Sequence, residues 1–282
     1  MFSKNVFEGQ VFRGFPKGHR YGLWIAPKVH QPIGIILCIQ TPGEENGFSR
    51  RVFVQAANRF ADLGYCTLIF DPFGVGDSAG KTSEARLQDW RSDLMRISHQ
   101  MRLKYDAPFL IWGSRLGSLL ASDLLISQSD TTAGLMLWAP LAHGRTWVDQ
   151  SQEVSAIDPQ SLIASEISHQ NMDLRHLGGT SYRASLIDEI ISLSLTPTKQ
   201  HQSFGNAAKI ALFGLTHPHL KRGQDARKPP ALEAIEANWR GPGFEVHTAT
   251  VPAENYWSAT PTYDPIALFE ASEAWLTSIR TP

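Results

Sequence analysis

The sequence has few cysteines and no long apolar run, and both absences narrow the range of structures. Only two cysteines occur among the 282 residues, and they do not form a CxxC pair. Cys38 and Cys66 fall inside apolar segments typical of strands, which predicts buried, reduced thiols and no disulfide framework. No apolar run approaches the roughly 18 residues that a membrane helix needs, so no membrane span is expected. Lys4 and Glu8 interrupt the N-terminal segment, so no signal peptide is predicted and the expected location is cytoplasmic.

The sequence also lacks an excess of charge of either sign. It carries 26 basic and 27 acidic residues, a net charge of −1, and no Lys/Arg cluster has interleaved aromatic residues. A nucleic-acid partner is therefore not expected. The histidines His217 and His219 stand close together, but no cysteine or carboxylate nearby completes a metal-ligand set. We expect neither a metal nor a cofactor.

What the sequence does contain is a regular alternation of strand and helix patterns. Continuous apolar segments occur at "PIGIILCIQ", "CTLIFD", "APFLIWG" and "AGLMLWAP". Such segments are typical of strands that are buried on both faces. Short loops connect them to segments with helical spacing. This order predicts an α/β protein with a doubly wound, mostly parallel sheet.

The alternation stops after residue 143 and resumes near residue 206. The intervening sequence is polar, has helical patches such as "RASLIDEIISLSL", and carries no strong strand signal. It is too long for a plain connection in a compact domain. We therefore predict a core over residues 1–143, an inserted helical cap over 144–205, and the second part of the core over 206–282.

The segment "FLIWGSRLGSLLASDLL" combines a buried strand, a tight turn bounded by glycines and an apolar helix. This pattern resembles the G-x-S-x-G nucleophile elbow of the α/β-hydrolases. In that elbow the nucleophile has strained backbone angles, and the residues two before and two after it press against each other. Only small residues fit at those two positions.

The glycine spacing decides which residue occupies the nucleophile position. If Ser114 stood there, a tryptophan and a leucine would have to fill the two small-residue positions. If Arg115 stands there, Gly113 and Gly117 fill them. The spacing therefore favours Arg115 at the nucleophile position, with Ser114 packed beside it.

The remaining members of a serine hydrolase triad are also missing from their expected positions. The loop after the last strand, "VPAENYWSATPTYD", contains no histidine, and Asn255 stands where the histidine of this fold normally precedes an aromatic pair. An asparagine side chain cannot accept and return a proton near neutral pH. His247 lies within the last strand, and Asp225 is the only carboxylate in the loop where the acid is expected. At the literal G-x-S-x-G around Ser78 no helix starts at the right point, so Ser78 is interpreted as a turn or helix-capping residue.

The oxyanion side of the predicted site is better preserved. In this fold the loop after the third strand donates a backbone N–H together with the residue that follows the nucleophile. Gly43 in that loop suits a close approach of the backbone, and Leu116 follows the nucleophile position. Glu44 and Glu45 add negative charge to the same loop. They are either solvated carboxylates or partners of Arg115, with which a bidentate pair is possible.

Several motifs resemble one hydrolase family. The segments "EENGFSRR", "DPFGVGDSAG", "WGSRLGSLLA", "LMLWAP" and "NYWSATPTYD" are similar to the second hydrolase family of the exosortase A system-associated set. The specific parts are Glu44, Glu45, Ser49, Arg50 and Arg51, together with Arg115, Leu116 and Gly117. The resemblance implies an α/β-hydrolase fold, an arginine at the elbow, and an association with bacterial exopolysaccharide and exosortase protein-sorting systems.

Two functions remain open from the sequence. The first is hydrolysis of an acyl ester or thioester, which requires Ser114 to move into the nucleophile position, or Glu44 or Glu45 to activate a water while Arg115 binds an anionic group. The second is a catalytically inactive hydrolase fold that binds an acyl or glycan-derived ligand or a protein partner. Arginine at the elbow and Asn255 at the histidine position favour the second.

Overall fold

A computed structural model describes residues 5–28, 31–157, 173–197, 208–216, 228–240, 244–258 and 264–280. These residues form ten strands, β1 (Val6–Phe12), β2 (Arg20–Ala26), β3 (Gly34–Ile39), β4 (Tyr65–Asp71), β5 (Phe109–Ser114), β6 (Gly134–Trp138), β7 (Leu174–Leu177), β8 (Thr180–Arg183), β9 (Lys209–Thr216) and β10 (Val246–Pro252). The α-helices are α1 (Glu44–Asp62), α2 (Leu87–Lys104), α3 (Leu116–Ser127), α4 (Gly144–Ile157), α5 (Ala184–Ser192), α6 (Pro230–Arg240) and α7 (Ile266–Ser278).

Eight of these strands form one sheet in the order β1-β2-β4-β3-β5-β6-β9-β10. The pairs β1·β2 and β2·β4 are antiparallel, and all the others are parallel. The central strands β3, β4 and β5 are buried at every residue, as their continuous apolar sequences predict. The predicted doubly wound, mostly parallel α/β sheet is therefore confirmed.

Alternate residues of the central strands supply two apolar layers. On β3, Ile35 and Leu37 face the layer built with α2 and α3, whereas Ile36 and Cys38 face the layer built with α1 and α7. Because β4, β3, β5, β6, β9 and β10 are parallel, their carboxyl ends lie at one edge of the sheet, where ligands bind in open α/β sheets. Cys38 and Cys66 are both free and buried.

The segment between residues 144 and 205 is not wholly helical where the structure describes it. Helices α4 and α5 are present, but β7 and β8 form an antiparallel hairpin between them. Gly178 and Gly179 form its turn, both with positive φ, at +49° and +74°, a geometry that glycine adopts without strain. The segment predicted as a helical cap with no strong strand signal therefore contains two short strands as well. Residues 158–172 and 198–207 lie outside the description, so the boundaries of the cap stay a prediction.

A buried ion pair joins the N-terminal hairpin to the core. The side chains of Arg20 and Asp93 are each 1% exposed, with Nε and Oδ2 2.6 Å apart. Asp93 also accepts a hydrogen bond from the backbone N–H of Phe73, and Arg20 donates to the carbonyl oxygens of Pro16, Gly18 and His19. The charges are thus fully hydrogen-bonded, as burial requires.

Candidate functional site

The turn between β5 and α3 has the backbone of a nucleophile elbow, and Arg115 occupies its apex. Arg115 has φ +51° and ψ −119°, a region that side-chain-bearing residues rarely adopt. Its N–H donates to the carbonyl oxygen of Trp138 on β6. Ser114 is the last residue of β5, and Leu116 is the first residue of α3 and is fully buried.

The two glycines around this turn are required by close packing. A Cβ on Gly113 would lie 2.7 Å from the carbonyl oxygen of Gly117. A Cβ on Gly117 would overlap the carbonyl oxygen of Ile39 at the end of β3. Both contacts involve backbone atoms, which move much less easily than the end of a flexible side chain.

We expect Gly117→Ala to lower the free energy of unfolding by about 2 kcal/mol or more, because α3 must shift away from β3. Gly47→Ala, in the first turns of α1, is the matched control. Its added Cβ meets no atom within 4 Å, so alanine there is expected to be neutral or to stabilise by up to about 1 kcal/mol. Chemical denaturation of both variants measures the difference. Equal stabilities would contradict the close packing at the elbow.

The side chain of Arg115 is buried and is bonded to its neighbours through Nε and Nη2. Its Nε and Nη2 donate to the two carboxylate oxygens of Glu45 at 3.0 and 3.1 Å. Nη2 also donates to Oε1 of Gln150 on α4, and the guanidinium lies 4.2 Å from the ring centroid of Trp257. Arg115 is 4% exposed. Of the two predicted glutamates, Glu45 is therefore the one that pairs with Arg115.

The same ion pair joins the elbow to residues of the predicted cap. Oε1 of Glu45 accepts a further hydrogen bond from Nε1 of Trp147 on α4. The ring of Trp147 packs edge-on against Tyr182 of β8, whose hydroxyl donates to the carbonyl oxygen of Pro42. The Arg115–Glu45 pair thus connects the elbow to α4, and α4 in turn packs against the β7–β8 hairpin.

Ser114 is held beside the apex by a tyrosine. Its Oγ lies 2.7 Å from the hydroxyl of Tyr256, and its side chain is buried, with the residue 3% exposed. Burial raises the pKa of Tyr256 well above its usual value, although the hydrogen bond between Tyr256 and Ser114 partly opposes this shift. The phenol therefore stays protonated near neutral pH and cannot act as a general base for Ser114.

The loop after β10 reaches the elbow through aromatic side chains and not through Asn255. Asn255 is exposed, and its carbonyl oxygen accepts hydrogen bonds from Ser258. Tyr256 and Trp257, the next two residues, make the contacts to Ser114 and Arg115 described above. His247 is exposed on β10 and packs against the ring of Phe213. Asp225, His217 and His219 lie outside the described residues.

The loop after β3 is shorter than the sequence pattern indicates, because α1 already begins at Glu44. Gly43 is the residue before the helix and has φ +90°. A Cβ on Gly43 would overlap the hydroxyl of Tyr182, so only glycine fits beneath the hairpin. Glu44 lies against the hairpin turn, since a Cβ on Gly179 would overlap its carboxylate. The structure thus brings Gly43, Glu44 and Glu45 next to the elbow but directs the two carboxylates to different partners.

The described part of the chain offers neither a metal-ligand group nor a membrane-spanning helix. No group of three or more His, Cys, Asp or Glu side chains there could hold a metal ion, and no helix there is long and apolar enough to cross a bilayer. Ser78 donates to the carbonyl oxygen of Asp71 and accepts a hydrogen bond from the N–H of Tyr21. These bonds agree with its interpretation as a turn residue.

The sequence offers Glu45 as a candidate partner of Arg115 but does not identify the other side chains around it, and only one further signal points to any of them. The aromatic pair Tyr256 and Trp257 is visible in the loop after the last strand, next to Asn255. Trp147 and Gln150 belong to a polar helix more than 30 residues away from the elbow in the chain, and no local pattern links them to it.

Comparisons with known proteins agree with this geometry. Residues 47–175, just under half of the chain, match the family described as Hydrolase_4: Serine aminopeptidase, S33. A segment of 74 residues is 32% identical to the human mitochondrial palmitoyl-protein thioesterase ABHD10, covering 26% of this chain and 23% of that protein. The chain thus matches less than a quarter of the length of this curated relative.

Two solved structures share the fold over nearly the whole chain. A thermostable carboxyl esterase from Bacillus coagulans superposes with a TM-score of 0.63 at 13% identity, covering 98% of this chain and 99% of the esterase. The mouse α/β hydrolase domain-containing protein 10 superposes with a TM-score of 0.57 at 16% identity, covering 97% and 99%. With the strand order and the elbow, these matches identify an α/β-hydrolase fold.

Proposed function

We propose that this chain is an α/β-hydrolase-fold protein that binds a small acyl- or glycan-derived ligand without hydrolysing it. The observation that carries the proposal is the residue at the elbow apex. Arg115 offers no nucleophilic atom, and its guanidinium is bonded to Glu45 and Gln150 and covered by Trp257. An attacking oxygen would need the space that this cluster fills.

The groups around the apex support the same proposal. The Ser114 hydroxyl is buried against Tyr256, and none of the described histidines is its hydrogen-bond partner. Asn255 is exposed and has no side chain that could exchange a proton near neutral pH. Both oxygens of Glu45 already accept hydrogen bonds from Arg115 or Trp147, which leaves this carboxylate poorly arranged to activate a water.

The second candidate is an acyl ester or thioester hydrolase. It is supported by the similarity of one segment to a palmitoyl-protein thioesterase and by the match to a serine aminopeptidase family. It requires Ser114 to leave Tyr256 and enter the apex, or a water to be activated by Glu44 or Glu45 with Arg115 binding an anionic group.

A fluorophosphonate probe distinguishes the two candidates, because it labels serines that a base activates. Purified wild-type protein, Arg115→Ser and Ser114→Ala are incubated with the probe, and the adducts are mapped by mass spectrometry beside an active serine esterase. We expect no adduct in any of the three proteins, since no base is in place to activate either Ser114 or the serine that Arg115→Ser introduces at the apex. A wild-type adduct on Ser114 that Ser114→Ala abolishes would overturn the proposal in favour of the hydrolase.

We also propose an association with bacterial exopolysaccharide and exosortase systems and a cytoplasmic location. The first is supported by the resemblance of two motifs, one containing Glu45 and the other Arg115, whose side chains form one ion pair. The second is supported by the free, buried state of Cys38 and Cys66, which is usual in reducing compartments.

A further inference from the structure

The large sheet has an open edge at β1, and this edge is apolar. Among the described strands β1 pairs only with β2, so the backbone groups along its other side have no strand to pair with. Val6, Phe7 and Val11 on this strand are 42%, 44% and 50% exposed. Proteins usually protect an edge strand with lysine, proline or a bulge. β1 contains none of these, and Glu8 is its only charge. Such an edge is a template for another strand.

The sequence of β1 reads almost the same in both directions. In "VFEGQVF", Gly9 is the centre, Glu8 and Gln10 flank it, and Phe7 and Val11 come next. If a second copy of the strand pairs antiparallel about a two-fold axis at Gly9, each residue meets the residue that lies equally far from the centre. Every residue of both strands is then paired. A register shifted by two residues would leave part of each strand unpaired, so the sequence favours the centred register.

The side chains on one face of this pairing are complementary. Phe7 and Val11 lie on the same face of β1, because they are an even number of residues apart. Phe7 of each copy therefore stands opposite Val11 of the other, and an aromatic residue opposite a β-branched one stabilises a sheet. Tyr21 of β2 extends this apolar strip, since it pairs with Val11 and its hydroxyl would overlap a Cβ on Gly9. The apolar strip is thus continuous from one copy to the other.

The other face of the pairing brings no like charges together. Glu8 stands opposite Gln10 of the second copy, which is neutral, whereas a parallel pairing in register would place the two Glu8 carboxylates side by side. Nε1 of Trp24 donates to Oε1 of Gln10 at 2.6 Å, which leaves Nε2 of that amide as a donor for Glu8. The charge pattern therefore favours the antiparallel arrangement over the parallel one.

We infer that this chain forms a two-fold symmetric dimer in which β1 pairs antiparallel with β1 of a second copy, so that the two eight-stranded sheets become continuous. A two-fold interface requires a surface that is complementary to itself, and the near-palindrome of β1 supplies one. A single pair of strands buries less surface than a standard interface, so the dimer is expected to dissociate on dilution, with a Kd of roughly 1–100 µM. The interface uses no residue around Arg115 and is independent of the proposed function.

Sedimentation velocity of the full chain over concentrations from about 1 to 300 µM tests the inference. We expect a shift from monomer to dimer across this range. The double variant Phe7→Lys with Val11→Lys places lysine opposite lysine at both apolar pairs, and it is expected to raise the Kd about tenfold or more. The double variant Phe7→Lys with Val11→Glu places lysine opposite glutamate only in the centred antiparallel register. It is expected to dimerise about tenfold more tightly than the lysine pair.

The matched control is the double variant Leu103→Lys with Ile266→Lys. It adds the same two charges at exposed apolar positions on α2 and α7, and it is expected to dimerise as wild type. A melting curve for every variant establishes that the protein is folded before it is sedimented.

Three results would overturn the inference. A wild-type chain that stays monomeric over the whole range would leave β1 as an edge for a strand of a different protein. A dimer that the two lysines at positions 7 and 11 weaken no more than the control does would place the interface elsewhere. Equal weakening by the lysine pair and the lysine–glutamate pair would contradict the antiparallel register.

Discussion

Replacing Asp93 with asparagine is expected to lower the free energy of unfolding by about 3–5 kcal/mol. The change removes the negative charge that compensates Arg20, and both side chains are only 1% exposed. The Arg20 guanidinium would then be a buried charge with neutral acceptors alone, and it could not escape to water without opening the N-terminal hairpin. Urea denaturation measures the change. If the slope of the unfolding free energy against urea concentration is unaltered, the two proteins unfold by the same transition.

The exposed pair Arg91 and Asp123 provides the control for this prediction. Their side chains are 42% and 26% exposed, with 2.6 Å between Nη2 and Oδ2, so Asp123→Asn is expected to cost less than about 1 kcal/mol. A double change, Arg20→Met with Asp93→Leu, should recover much of the loss because it removes both buried charges. If Asp93→Asn and Asp123→Asn lowered the free energy of unfolding equally, burial of the Arg20–Asp93 pair would not be the reason for the large loss.

The architecture could be predicted from the sequence because its strongest signals are local. The segment "PIGIILCIQ" contains β3, which is buried on both faces, and a strand of that kind must read as a continuous apolar run. The apex of the elbow could be predicted for the same reason. The spacing of Gly113 and Gly117 reports a contact between residues only four apart, so it is visible without any knowledge of the rest of the fold.

The hairpin of β7 and β8 escaped prediction because its strands are short and polar. Each has four residues. An alternation of apolar and polar residues over so short a segment cannot be distinguished from a helical pattern. The Gly178-Gly179 pair between them was the one available signal. The start of α1 at Glu44 was missed in a similar way, although two acidic residues in a first turn are typical of a helix N-terminus.

The side chains around Arg115 could not be predicted, for a different physical reason. Glu45 and Arg115 are 70 residues apart in the chain, and Gln150 is a further 35 away. Their meeting depends on the order of the strands and on how α4 packs over the sheet edge. No local pattern carries that information, so the sequence could suggest an Arg–Glu pair but could not identify which glutamate forms it.

The elbow has the backbone of a catalytic turn and the side-chain contacts of a structural one. Strained backbone angles at a functional apex are maintained only when the surroundings over-determine them. Here Gly113 and Gly117 permit the turn, and the contacts of Arg115 hold its side chain. If the role of Arg115 is to make these contacts, removing its side chain should lower the free energy of unfolding.

Arg115→Met is therefore expected to lower the free energy of unfolding by about 2–4 kcal/mol. The change leaves the carboxylate of Glu45, whose side chain is 18% exposed, without its two bonds from the guanidinium, and it removes the cation from beneath the ring of Trp257. Glu45→Gln and the double variant complete a double-mutant cycle, and the coupling free energy between Arg115 and Glu45 is expected to be about 1–3 kcal/mol.

The control is Arg51→Met, which removes a cation that is 54% exposed in its pair with Asp264. This change is expected to cost less than about 1 kcal/mol. Active-site residues that are kept for function commonly reduce stability, so their replacement often stabilises a protein. An Arg115→Met protein as stable as wild type, or more stable, would contradict a fastening role and would favour the hydrolase in which Arg115 binds an anionic substrate group.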